Sequence, residues 1–521
     1  MKRFLLVTSC ALLVACGGDK AQKKSTPPPV EKPVAPMPEP PKAPEPVVVT
    51  QADPSSPVVA VRLVFRSGSV DDPPGQEGIT ALLAGVMAEA SESMDAAQLR
   101  RELFPFATDV VYHVDAEATV FRMRVHRDVA ARALPLLFDV LAHPRMDPRD
   151  FQRLRQDAIT DIEHRLREGD DESLGKAALA TYLWQGHPYA RIPEGTVQSL
   201  KALTLDQLKA HRTRVFTRAR LVAGLGGGFT PEVETVFRDG VARLPAGTSW
   251  ESLPLPELPR LQGLQVHIIQ KDAEATPVDI GFRHGLSRSH PDFIPLMVAT
   301  SAFGEHRQMG GRLFIRMREL RGLNYGDYAY LEHFLQEGSE TLALTNIPRR
   351  QHAFTVWVRP VEKDDRVFAA RQALRELRKL VELGLTSEEL ERTRNFLKGY
   401  TLLWEQGVNR KLGLAIDDVI NGTPQFLASL RARLETLTLE EVNAAIKRHL
   451  QAEDAVVTFL AADAQELKAF LLSGAPSPRH DEKTRMLDPR EQEEDRAIAS
   501  YDLKLTPERV RIIPVSELFE R

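Results

Sequence analysis

The second half of this 521-residue chain repeats the first. Leu200-Lys201-Ala202-Leu203-Thr204-Leu205-Asp206-Gln207-Leu208 matches Leu434-Glu435-Thr436-Leu437-Thr438-Leu439-Glu440-Glu441-Val442, 234 residues further on. The same interval carries the apolar run at Val222 onto that at Val456, and the periodic segment around Phe237 onto that around Leu471. Nearer the front of each half, Phe65-Arg66-Ser67-Gly68 returns as Phe282-Arg283-His284-Gly285 after 217 residues. Solenoid repeats run to roughly 20–50 residues, so this is duplication of a whole domain. The unequal intervals mean insertions between matching elements.

Each copy mixes strand and helix patterns. Val58–Phe65 is a β-rich run, and Gly78–Glu92 has helical periodicity. Asp109–Val114 and Thr119–Val125 form a hairpin around Asp115-Ala116-Glu117-Ala118. Helical patterns follow at 128–142, 149–168, 173–185 and 205–214, then a strand at Leu221–Leu225 and a helix from Thr230. The expected fold class is α/β (α+β), in two homologous domains. The pattern divides the chain into a leader (1–15), a proline-rich arm (16–56), two domains (57–255 and 256–473) and a charged tail (474–521). The tail ends in a strand-like run, Val510-Arg511-Ile512-Ile513-Pro514-Val515.

Both cysteines lie within the first sixteen residues. Lys2 and Arg3 precede an apolar run, Phe4–Ala15, that is too short to span a bilayer. It ends in Leu13-Val14-Ala15-Cys16, the form of a lipoprotein signal in which Cys16 is lipidated. Gly17 rather than aspartate follows, which by the enteric sorting pattern predicts the periplasmic face of the outer membrane. Ten of the twenty residues from Pro27 to Pro46 are proline, the composition of an extended, semi-rigid spacer. A body without cysteine holds no disulfide, and any zinc in it would need His and carboxylate ligands. Lys and Arg number 68 against 72 Asp and Glu, which argues against a polybasic nucleic-acid binder.

A resemblance rests on several motifs together. Val61-Arg62-Leu63-Val64-Phe65-Arg66-Ser67-Gly68, Asp72-Pro73, Gly75 and Gly78-Ile79-Thr80 open the first copy. Gly186-His187-Pro188-Tyr189, Gly195-Thr196 and Leu203-Thr204 continue it. The second copy has Gly311-Arg312-Leu313-Phe314 and Arg318-Glu319-Leu320-Arg321-Gly322-Leu323-Asn324-Tyr325. Over roughly 58–472 the chain resembles insulinase/pitrilysin-type zinc peptidases, above all the mitochondrial processing peptidase-like branch, which implies two homologous domains of about equal size, each a mainly antiparallel sheet packed with helices, arranged as a clam-shell.

The resemblance implies an H-x-x-E-H zinc motif on the first helix, with two ligating His on one face and Glu as general base. Here those positions hold Ala81, Ala84 and Gly85. Asp161, seventy-six residues after Gly85, stands near the third-ligand position, as a relic ligand or an ordinary polar helix residue. No two of the fourteen histidines lie three or four residues apart, and no G-x-S-x-G elbow exists. Gly224-Leu225-Gly226-Gly227-Gly228 fails the dinucleotide pattern and reads as a strand-to-helix turn. His187-Pro188-Tyr189 reads as a structural turn, and Gly310-Gly311 as a much-shortened glycine-rich loop.

The family's arginine and tyrosine, seven residues apart, fall on Arg318 and Tyr325. In active members they contact the substrate carbonyl and stabilise the oxyanion. The resemblance therefore implies a non-catalytic subunit with no cofactor of its own. A homologous partner chain, in a heterodimer, would supply the zinc for peptide cleavage. The competing expectation is a peptide-binding scaffold of the cell envelope on the same fold.

Overall fold

A computed structural model describes residues 45–248, 250–338, 342–479 and 487–521. The leader, Cys16 and the arm up to residue 44 lie outside the described residues.

Five strands build the first sheet: β1 (Val47–Ala52), β2 (Val58–Phe65), β3 (Val111–Val114), β4 (Thr119–His126) and β5 (Leu221–Gly227). Their order is β1-β5-β2-β4-β3, with β1 parallel to β5 and the other pairs antiparallel. The second sheet contains β6 (Gln265–Gln270), β7 (Ala275–His284), β8 (Asp327–Tyr330), β9 (His352–Glu362), β10 (Val456–Ala461) and β11 (Val510–Pro514), in the order β11-β6-β10-β7-β9-β8. Apart from β11, the second order repeats the first strand for strand. The 234-residue interval places helix Leu205–Val215 onto helix Leu439–His449, and both start with a threonine capping box, Thr204/Gln207 and Thr438/Glu441.

Two segments differ from the sequence reading. The arm was expected to run to residue 56, but Val47-Val48-Val49-Thr50 is β-branched and pairs as an edge strand along β5. The tail is woven into the body. Its helix Pro489–Ala499 packs on helix Arg366–Leu383, β11 extends the second sheet, and Leu518 accepts a hydrogen bond from Arg167 Nε (2.8 Å) in the first half.

The halves cover each other reciprocally. Helix Val408–Asn421 of the second half lies on β5, β1 and β2, and helix Asp171–Leu183 of the first half lies on β7 and β10. The glycine run explains the first contact. Gly224 and Gly226 sit inside β5 rather than in a turn, because Cβ atoms there would come within 2.7 Å of Ile416 and 3.3 Å of Val408. Missing side chains let the helix approach the sheet backbone.

The second contact buries Asp279 of β7 beneath Gly175, with Oδ2 unpartnered among the described residues. Burial pushes its carboxyl up to about 8 from an ordinary 3.8, with Lys176 opposing. The folded state therefore retains a proton that the unfolded chain releases, and stability falls as pH rises from about 4 to about 8. We predict that Asp279→Asn raises the melting temperature relative to the unsubstituted protein progressively from pH 5 to pH 8. Parallel pH curves for the two proteins would refute this.

Candidate functional site

The first helix, Ile79–Glu89, is anchored by residues of the recognised motifs. Asp72 accepts the N–H of Gly78 (2.7 Å) and of Thr80 (3.2 Å). Gly78 and Gly195 both have positive φ and pack backbone to backbone, so a Cβ on either would strike the other segment at 2.3 Å. Gly78 and Gly195-Thr196 thus set the helix start and take no part in chemistry. His187 caps the short turn Pro188–Ala190, as expected of a structural turn.

The zinc-motif positions are closed by packing. Ala84 is fully buried, Gly85 is buried and Ala81 half-buried. A Cβ on Gly85 would lie 2.8 Å from the Tyr112 hydroxyl and 3.8 Å from Leu154. Tyr112, on β3, thus stands beside the position of the second histidine. Burial pushes its phenol above the ordinary range, helped by the carboxylates of Glu89 and Asp161. Asp161 therefore does approach this corner. It opens the π-helical stretch Asp161–Gly169, is exposed, and pairs with Arg165 at 3.3 Å. Two alanines, a glycine, a phenol raised above its usual range and one exposed carboxylate do not fit zinc, which takes three or four N, S or O ligands.

Restoring the motif as Ala81→His, Ala84→Glu and Gly85→His should yield a destabilised protein with substoichiometric zinc. The new glutamate would be desolvated, and Tyr112 obstructs the second histidine. Adding Tyr112→Ala should raise zinc uptake. Elemental analysis showing one zinc per chain in the triple variant would refute the obstruction.

The structure brings Arg318 and Tyr325 together. Arg318 lies on the π-helical turn Phe314–Glu319, with its guanidinium carbon 4.5 Å from the Tyr325 ring centroid and 4.8 Å from that of Phe314. Arg359 of β9 approaches the same tyrosine ring at 5.6 Å. Tyr325 is 67 % exposed, unusual for so large a ring. The residues between the pair hold it in place. Arg321 is buried against Asp495 of the tail helix (2.7 Å), Gly322 takes positive φ, and Asn324 donates to Asp327 (2.7 Å) and to the Arg359 carbonyl (2.9 Å). At the shortened glycine loop, Arg392 Nη2 donates to the Gly310 carbonyl at 2.9 Å and a Cβ on Gly310 would lie 2.7 Å from Arg392 Nε, while the neighbouring Arg312 forks onto Glu389 at 2.6 and 2.8 Å.

Between the halves lies a cleft of about 380 Å³, lined by Asp161, Lys176 and Glu194 from the first half and Glu332, Arg349 and Trp357 from the second. Arg359 links the cleft to the exposed tyrosine, since its Nε meets Glu172 at 3.1 Å and Lys176 sits over the Trp357 ring. At one end Asp115 is buried. Burial alone would raise its carboxyl, but Arg349 and His333 hold it well below the usual range. Glu117 pairs in turn with Arg350. The sequence shows Asp115 and Glu117 only as hairpin residues, and nothing local signals partners 234 and 233 positions away.

A further cluster was also invisible in sequence spacing. Ligand atoms of His290, Asp292 and His449 lie within 4.8 Å of one another. Asp292 is already engaged by Arg448 at 2.8 and 3.0 Å and by His449 at 2.7 Å, so it reads as an ion pair.

Comparison with known proteins agrees with this geometry. Residues 47–196 match the insulinase (peptidase family M16) profile, and residues 202–397 match the peptidase M16 inactive domain. A Helicobacter pylori protein named non-peptidase homolog YmxG is 23 % identical over 406 residues, covering 76 % of this chain and 88 % of that one. A Mycobacterium bovis protein named an uncharacterized zinc protease is 25 % identical over 407 residues, covering 77 % and 88 %. Among solved structures, a peptidase M16 inactive domain from Pseudomonas fluorescens superposes with a TM-score of 0.69 at 21 % identity, covering 79 % of this chain and 94 % of that one. The matched profiles and the duplicated sheets lead to one assignment: the chain belongs to the insulinase family, peptidase family M16.

Proposed function

We propose that this chain is the non-catalytic subunit of a two-chain zinc peptidase, in which a homologous partner supplies zinc and the general base. One observation carries the reading: the zinc positions hold Ala81, Ala84 and Gly85, while Arg318 still stacks on an exposed Tyr325. Arg is a fixed cationic donor and Tyr a neutral one, so both suit an oxygen on which charge develops. The chain binds no cofactor itself, and its substrates are peptides held between the subunits. If Cys16 is lipidated, the arm tethers the complex to the cell envelope, at the periplasmic face of the outer membrane.

The test is co-purification from the native membrane. We expect a second M16 chain with an intact H-x-x-E-H, and zinc-dependent peptide cleavage that needs both chains. Cys16→Ser should release the complex from the membrane fraction. Isolation only as single chains, or full activity of the partner alone, would refute the subunit reading. The cleft of about 380 Å³ favours one alternative, a peptide-binding scaffold. That alternative predicts saturable peptide binding without cleavage in any assembly.

A further inference from the structure

The second half holds a cavity of about 130 Å³ that the peptidase reading does not use. It lies among helix Phe293–Gly304, β8 and helix Ser387–Trp404. These correspond by the duplication to helix Ile79–Glu89, β3 and the stretch Pro148–Gly169, the elements around Tyr112. About 10–15 Å³ of such volume accommodates one water, so an organic molecule of roughly six to ten heavy atoms fits.

Three ring pairs wall the cavity. Tyr330 stacks on Phe334 at 4.1 Å, Tyr400 meets Trp404 edge-on at 5.9 Å, and Phe293 meets Phe426 edge-on at 6.1 Å. Glu305 lines the same space. Burial pushes its carboxyl up to about 7 with Ser301 opposing, and it forms no salt bridge among the described residues. The other charges at the wall have partners: Arg288 forks onto Glu332 at 2.9 and 3.0 Å, Arg410 pairs with Glu337, and Asp417, whose carboxyl burial pushes up with Arg288 opposing, accepts from Asn346 Nδ2 at 3.0 Å. His306 is held neutral by burial and shares a hydrogen bond with the Tyr330 hydroxyl (2.7 Å). Buried Thr300 Oγ1 has no partner among the described residues. A desolvated carboxylate is costly without a counter-ion, and aromatic faces attract ammonium groups.

We propose that this cavity binds a small organic ammonium ion, with Glu305 as counter-ion and the rings of Tyr330, Tyr400 and Trp404 as its walls. Glu332, His333 and Phe334 line both this cavity and the cleft. The ammonium group therefore belongs either to a free amine or to a lysine side chain of a bound peptide. The proposal does not depend on a zinc-bearing partner.

The test uses the full chain, with calorimetry and tryptophan fluorescence. The probes are choline, its neutral isostere 3,3-dimethylbutanol, and n-butylammonium. We expect saturable binding of at least one ammonium probe, at least about tenfold tighter than the neutral alcohol. Glu305→Gln should weaken it by a similar factor while the melting temperature confirms folding, and Trp404→Leu should do the same through the cage. A lysine-containing peptide that displaces the probe, when its norleucine analogue does not, assigns the natural ligand to peptide side chains. Displacement by neither peptide assigns it to a free amine. Equal affinity for alcohol and ammonium, unchanged affinity in folded Glu305→Gln, or no saturable ammonium binding would overturn the proposal.

Discussion

In the proposed two-chain peptidase, replacing Arg318 by alanine is expected to lower kcat by about 10²–10³-fold, the range measured when a single oxyanion donor is removed elsewhere. The expectation follows from where the side chain sits. Arg318 is half-buried between the rings of Phe314 and Tyr325, so its guanidinium is oriented before substrate arrives. A donor already in place adds little reorganisation cost as charge develops, and its loss should fall on kcat more than on KM. Arg318→Lys should recover part of the rate, because it keeps the charge and loses the planar fork. Tyr325→Phe should cost less than Arg318→Ala, since it removes a neutral donor. The control is co-purification of the variant with the proposed partner, because among the described residues Arg318 makes no ion pair of the kind that fixes Arg321 to Asp495. Unchanged turnover by a fully assembled Arg318→Ala complex would leave the subunit without its assigned chemistry.

Arg62→Met will cost about 3–5 kcal/mol of stability, the range for breaking a buried charged network by removing one partner. Arg62 is 1 % exposed, at the centre of β2 on the face covered by helix Val408–Asn421. Its Nη1 donates to Thr345 Oγ1 and to Asn346 Oδ1, both at 2.8 Å, and Nε donates to Asn409 at 3.1 Å. Burial pulls the guanidinium down to about 10, with Glu337 opposing. Methionine matches the stem but leaves the Asn346 and Asn409 oxygens short of a donor. All these partners belong to the second half, so the loss should loosen one half from the other. Urea unfolding should show it, and Arg62→Met with Asn346→Ala should be clearly less than additive. A cost below about 1 kcal/mol would mean that the network contributes no net stability.

Much of the fold was legible because its signals are local. The threonine capping boxes at Thr204 and Thr438, the hairpin at Asp115–Ala118 and the β-rich run of β2 depend on residues within a few positions of one another. The glycine run of β5 was misread as a turn because its cause, helix Val408–Asn421, lies about 180 residues away. The first strand was missed because six residues beside a proline-rich segment carry no turn signal to separate them. The aromatic cavity had no signal either, since its six rings come from helix Phe293–Gly304, β8 and the loop after it, helix Ser387–Trp404 and helix Phe426–Thr436, which only the fold brings together.

The sequence alone determined the duplication, the loss of histidine and glutamate at Ala81, Ala84 and Gly85, and the seven-residue spacing of Arg318 and Tyr325. These are matters of residue identity and short-range order. Only the tertiary structure decided that Tyr112 stands against the Gly85 position, that Arg318 stacks on an exposed Tyr325, and that Glu305 lines a cavity walled by aromatic rings. The physical reason is common to all three. Burial, dielectric environment and side-chain contact are set by which surfaces the folded chain brings together, and in a duplicated fold the two copies bring together different ones.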